Sequence, residues 1–135
     1  MNTNQNLFQE WSPRLLSVLR IVTAFLFMMH GTAKLFQLPH QAMFDGLQLM
    51  SLMGLQGVLE AGGGFLLLIG LLSRPIAFVL SGDMAVAYFM AHGPKSWLPL
   101  LNGGDLAVLF CFVFLYLSAA GPGPWSIDAA RRRPT

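Results

Sequence analysis

The chain has 135 residues, 55% of them hydrophobic and only 10% charged, with a net charge of +2. A soluble domain carries about 25% charged residues, so this chain cannot clothe a water-facing surface and its solvent is a lipid bilayer. The single cysteine, Cys111, excludes an internal disulfide and any Cys-x-x-Cys redox pair.

Residues 1–13 form a polar N-terminal segment rich in Asn and Gln, read as loosely ordered. Ser12 suits a helix cap and Pro13 the first helical turn. The first span then covers 14–36, about the length that crosses a bilayer, and Pro39 marks its end. It is too long for the core of a cleavable signal and is read as retained. Residues 40–54 leave two readings open. Met43, Leu47 and Met50 repeat at helical spacing among Gln41, Asp45 and Gln48, as in an interfacial helix or an extension of the second span.

The second span covers 55–72 and ends at Ser73-Arg74-Pro75, with Pro75 at a helix start. The third covers 75–91 and is broken by Gly93-Pro94. Trp97, in the connection that follows, suits an interface anchor. The fourth covers 104–120 and is closed by Gly121-Pro122-Gly123-Pro124, after which Trp125 marks the opposite interface. The fold class is therefore all-α, an integral membrane four-helix bundle. Its transmembrane domain spans 14–128 and is followed by a basic tail, 129–135. Arg14, Arg74 and Arg131 to Arg133 fall on one side, Lys34 and Lys95 on the other, which places both termini in the cytoplasm. The arginine run reads as a topology signal or lipid-headgroup contact, not as a nucleic-acid site.

Ionisable residues interrupt these spans, each costing roughly 2.5–3.5 kcal/mol near the bilayer centre. Counting up from the cytoplasmic ends at about 1.5 Å per residue gives two tiers. Arg20 and Asp83 occupy the inner tier and read as a structural charge pair. His30, Lys34, Glu60, His92 and Asp105 occupy the outer tier. Arg20, Phe27, His30 and Lys34 lie within about 80° on one face of the first helix, so that face points into the bundle. Gly57, Glu60 and Gly64 share a face of the second helix, where small residues allow close backbone approach. A carboxylate there needs a cation or a proton. Glu60, His30 and Lys34 are candidate catalytic groups, with a structural lock as the competing reading. His92, Asp105, Asn102 and Phe27 are candidates for lining the pocket. Asn102-Gly103-Gly104-Asp105 also reads as a turn with a helix cap. His30 and His92 sit on separate helices without a flanking motif, so no metal site is expected.

Several motifs together resemble the DoxX family, from about residue 14 to 130. They are Arg20 with His30-Gly31-x-x-Lys34-Leu35-Phe36, Glu60-x-Gly62-Gly63-Gly64, Gly70-Leu71-Leu72-Ser73-Arg74, Asn102-Gly103-Gly104-Asp105 and Gly121-Pro122-Gly123-Pro124-Trp125-Ser126-Ile127-Asp128. The acid of the fourth span, often Glu in that family, is Asp105 here. The resemblance implies a small four-helix protein of the bacterial inner membrane, associated with quinone-linked oxidation.

On that reading the protein is a redox-associated subunit handling a quinone-like molecule at a polar pocket on the periplasmic side. His30, Lys34 and Glu60 would serve the headgroup, while Phe27, Phe65 and the glycine face would serve the tail. No residue carries electrons by itself, so a redox partner or bound cofactor is implied. The alternative is a non-catalytic membrane subunit or chaperone-like partner of another membrane protein. A transporter or lipid-binding module is a third reading, and no repeat or broken-helix pair supports transport.

Overall fold

Apolar residues at helical spacing, separated by short Gly- and Pro-rich breaks, leave the chain little choice but helices, because a backbone in lipid must satisfy its own hydrogen bonds. The computed structural model describes residues 3–132, and all regular structure among them is helical. In order these are α1 (Thr3–Phe36), a 3₁₀ turn (Ala42–Phe44), α2 (Leu52–Ile69), α3 (Ser73–His92), α4 (Pro99–Asn102), α5 (Asp105–Ala120) and α6 (Ile127–Arg131). α1, α2 and α3 are long and apolar enough to cross a membrane. α5 has 16 residues, about 24 Å of rise, and lies along α3. Large side chains such as Val22, Phe25, Leu26, Phe78 and Phe112 face outward, as a lipid-facing surface requires. The protein is thus a helical membrane bundle.

Three boundaries differ from the sequence reading. α1 begins at Thr3, and Pro13 lies inside it. Leu7, Phe8, Trp11 and Leu15 recur at helical spacing and continue the apolar face past the proline, a repeat masked by the polar residues between them. The segment 40–54 is not an interfacial helix, and only its last three residues, 52–54, extend the second span. The rest is an irregular loop with one 3₁₀ turn, and Ser51 caps α2 by accepting from the Gly54 amide at 3.1 Å. α3 begins at Ser73, before Pro75, and runs through His92. Arg133, the last arginine of the basic tail, lies outside the described residues.

The bundle consists of two close pairs, α1 with α2 and α3 with α5. The first pair depends on glycine. A Cβ on Gly31 would strike the backbone of Ala61, and one on Gly64 would meet the backbone of Met28 at 3.0 Å, so these helices touch main chain to main chain. Between the two pairs lies the core, formed by Ala24, Phe27, Leu67, Ala77, Leu80, Met84, Phe110, Phe114 and Leu117. Phe27 sits at its centre, edge-on to Phe110 and Phe114 at 5.3 and 4.8 Å between ring centroids. It is therefore a core residue and does not line the cleft between α2 and α3, where the sequence reading expected it to line a pocket.

The expected Arg20–Asp83 pair does not form. Arg20, only 1% exposed, donates to the carbonyls of Pro122, Trp125 (2.7 Å) and Leu68 (3.4 Å). Asp83 instead belongs with Lys34, Gln56 and Glu60. Depth counting failed because it used backbone positions. The guanidinium reaches toward the α5–α6 turn, while Asp83 lies midway along an α3 that is longer than expected.

Around Arg20, the residues after α5 make a lock at this end of the bundle. Ser17 Oγ accepts from the Trp125 amide at 3.1 Å. The Asp128 carboxylate accepts from the amides of Leu72 (2.9 Å) and Ser73 (2.8 Å) at the start of α3. The Asp128 amide donates to Gly70 O at 2.9 Å. Gly70 has φ +71°, and a Cβ there would strike Ser126. Arg74 donates to the last carbonyls of α5, on Ser118 and Ala119.

Two predictions follow from these contacts. Arg20→Ala strands carbonyls whose hydrogen bonds to a charged group are worth about 1.5–3 kcal/mol each. It is expected to lower thermal stability in detergent far more than the outward-facing Leu26→Ala, which should stay within about 0.5 kcal/mol. Equal losses would show that Arg20 does not hold the lock. For Asp128, burial pushes the carboxyl up, but the Ser73 and Leu72 donors and nearby Arg132 outweigh it and hold the group below the usual aspartate range. Its stabilisation is therefore complete above the ordinary value of about 3.9 and fades as pH falls through the lower folded value. Asp128→Ala is expected to cost about 0.5–2 kcal/mol at neutral pH. Unfolding measured against pH should show that gap narrowing below about pH 4.

Candidate functional site

Lys34 lies two residues before the end of α1, on the stripe that packs against α2. Glu60 lies on α2 within a π-helical turn, Leu59–Gly63, a local widening that recurs at functional sites. The glycine contact brings these two helices close enough for the side chains to meet. Lys34 Nζ is 2.8 Å from Glu60 Oε1 and 2.8 Å from Oε2. It also donates to Gln56 Oε1 at 3.0 Å. The side chains of the pair are 8% and 4% exposed. Among the described residues the other ion pair is His40–Asp45, on the surface.

Gln56 lies one turn from Glu60 on the same face of α2, a spacing that marks it as a partner. It was not singled out in the sequence, because a neutral amide raises no alarm in an apolar run. Asp83 approaches the group from α3, with Lys34 and Gln56 as its polar neighbours. Its Oδ2 is buried without a hydrogen-bond partner. One cation thus faces two carboxyl groups.

This cluster backs onto a cleft of about 300 Å³ between α2 and α3. The two helices are joined at the Gly70–Leu72 turn and part toward their other ends. Asp83 and Gln56 supply the polar lining, and Leu52, Met53, Leu55 and Leu59 of α2 face Val86 and Met90 of α3 across it. The volume is at the lower end of the range for small-ligand sites. The end of the bundle beside Lys34 is covered. Phe44 is buried with its ring centroid 5.7 Å from Lys34 Nζ, and its carbonyl accepts from Gln37 Nε2 at 2.9 Å. Access to the cleft is therefore sideways, between the helices.

The other candidate residues are dispersed. His30 is half-buried near Glu60, but its Nδ1–H is committed to the Leu26 carbonyl at 2.9 Å. His92 Nδ1–H donates to the Asn102 carbonyl at 3.0 Å. The Asn102 amide donates to Tyr88 Oη (3.0 Å) and Ser96 O (2.9 Å), while its Oδ1 accepts from Gly104 N at 2.8 Å. His92 and Asn102 thus fold the α3–α5 connection and do not line the cleft. Asp105 is exposed on the first turn of α5, where a negative charge suits the helix dipole. Among the described residues, no group of three His, Cys, Asp or Glu side chains gathers as a metal site would require.

A family model described as DoxX matches residues 15–93. A protein of Haemophilus influenzae described as uncharacterized is 38% identical over 132 residues, covering 91% of this chain and 95% of the relative. No solved structure matches the chain.

If Lys34 and Glu60 act as a coupled pair, removing one leaves a buried charge, typically a loss of about 3–5 kcal/mol. Lys34→Met is expected to lose about that much in thermal unfolding. Adding Glu60→Leu should recover most of it, because two apolar side chains need no partner. A double variant no more stable than Lys34→Met would show the two residues to be independent.

Proposed function

This chain belongs to the DoxX family of membrane proteins, and on that premise we propose that it is a redox-associated subunit that binds a quinone-like molecule in the cleft between α2 and α3. One observation carries the reading: an apolar cleft opening sideways between membrane helices has a lone carboxylate oxygen and an amide at its polar wall. A quinone headgroup needs a hydrogen-bonding group near a carbonyl and an apolar slot beside it. Asp83 and Gln56 meet the first need, and the aliphatic walls meet the second. A lipid-soluble molecule would reach the cleft from the bilayer without crossing the covered end of the bundle.

In this proposal Lys34 and Glu60 are not the first groups the ligand meets. They hold Gln56 in place and set the charge behind Asp83. Electrons would come from a redox partner, since the chain's own residues cannot carry them. In this proposal both termini face the cytoplasm of a bacterial inner membrane, a reading supported by Arg14, Arg74 and Arg131 to Arg133 on one side and Lys34 and Lys95 on the other. The cleft then lies in the half of the bilayer nearer the periplasm.

The test is purification from native membranes, followed by solvent extraction and mass spectrometry of the bound molecules. Close to one quinone per chain is expected. Ala87→Phe, which fills the cleft wall, should lower that occupancy about tenfold or more, a change worth about 1.4 kcal/mol. An extract without quinone, or one unchanged by Ala87→Phe, would sink the proposal.

A further inference from the structure

Asp83 is the loose end of a polar chain that runs from Glu60 through Lys34 and Gln56 to the cleft. The members behind it are already engaged. The ammonium of Lys34 has three oxygens around it, both carboxylate oxygens of Glu60 face that ammonium, and Gln56 Oε1 accepts from it. Asp83 Oδ2 is buried without a hydrogen-bond partner and, unlike Glu60 Oε2, has no ammonium within ion-pair distance. The facing walls of the cleft are aliphatic or thioether side chains, which bring no proton to share, and the one amide donor of the lining, on Gln56, sits on Asp83's own side of it.

An ionised carboxylate only accepts hydrogen bonds, and so does a ligand carbonyl. Two acceptors hold each other only with a proton between them. We propose that Asp83 holds the ligand head by carrying one proton to a ligand carbonyl, so that the carbonyl-bearing, oxidised head binds together with a proton. This rests on the quinone-like reading above and adds to it which residue recognises the head and in what state. The charge count points the same way. One lysine faces two carboxyl groups, and a proton on Asp83 brings the cluster to neutrality in a medium that penalises net charge.

No other titratable group is so placed. From α1, Lys34 faces the cluster, and His30 lies near Glu60 with its Nδ1–H bonded to Leu26 O. From α2, Glu60 is held by Lys34. On α3 itself, His92 is bonded to the Asn102 carbonyl. From α5, Cys111 meets α3 at Ser81, which lies on the opposite face of the helix from Asp83.

The experiment titrates a decyl-tailed benzoquinone into the full-length protein in lipid nanodiscs, by calorimetry, between pH 5.5 and 8.5. The oxidised ring has no titrating group there, so any pH dependence belongs to the protein. Affinity is expected to fall as pH rises, approaching about tenfold per unit once the site titrates. Asp83→Asn, whose amide donates without titrating, should still bind and lose that slope. Repeating the wild-type titration in buffers of different ionisation enthalpy should give close to one proton taken up per ligand at high pH, a readout that needs no variant. Binding with no pH dependence and no proton uptake overturns the role of Asp83 and leaves the cleft reading intact. A wild-type slope retained in Asp83→Asn overturns it as well. Failure of the benzoquinone to bind at any pH removes the quinone reading, and this inference with it.

Discussion

Three oxygens surround the ammonium of Lys34 inside the bundle, two from Glu60 and one from Gln56. Hydrocarbon offers a charge no other solvation, so the rest of the outer half is arranged around that requirement. The α1 and α2 backbones must nearly touch, which requires Gly31 and Gly64 at their contact. The π-helical turn lies where Glu60 must face α1. Phe44 folds over the ammonium and keeps bulk water from one side of it. A buried pair of this kind contributes little net stability, because desolvation offsets the attraction. Its contribution is geometric, since it ties α1 to α2 at one register.

Once that pair is satisfied, Asp83 is left over. It enters from α3, which packs chiefly on α5 and stays close to α2 from the Gly70–Leu72 turn as far as the π-helical turn at Leu59–Gly63. The divergence of α2 and α3 creates the cleft and also leaves Asp83 Oδ2 without a neighbour. In the proposed reading a structural lock and a ligand site therefore do not compete for the same residues. Lys34 and Glu60 supply the lock, and Asp83 with Gln56 supplies the part that remains open.

The opposite end is built differently. Arg20, Ser17, Gly70, Arg74 and Asp128 are engaged mainly with main-chain atoms. The turn after α5 brings its carbonyls to Arg20, and Asp128 returns to cap α3. Side-chain bonds to the main chain of another helix thus gather at the end where the chain closes on itself, while at the other end α2 and α3 part. Unequal stability along one structure is common where binding requires a surface that can open.

The helical membrane class was legible in the sequence, because few charges and long apolar stretches allow nothing else in lipid. So was the shared face of Gly57, Glu60 and Gly64, since helical periodicity is a local property of the chain. Lys34 and Glu60 could be named as belonging together because both were charges in need of a partner at similar depth. The sequence could not decide which charge met which. Arg20 and Asp83 matched in backbone depth, yet a long side chain reaches well beyond its own Cα, and Arg20 found main-chain carbonyls instead. Gln56 went unnoticed, and Phe27, expected to line a pocket, lies in the core. Which face of a helix meets a neighbour, and where two helices part, depends on how all of them pack together. That is a property of the assembled bundle, and it turned a list of buried polar residues into a closed pair and an open cleft.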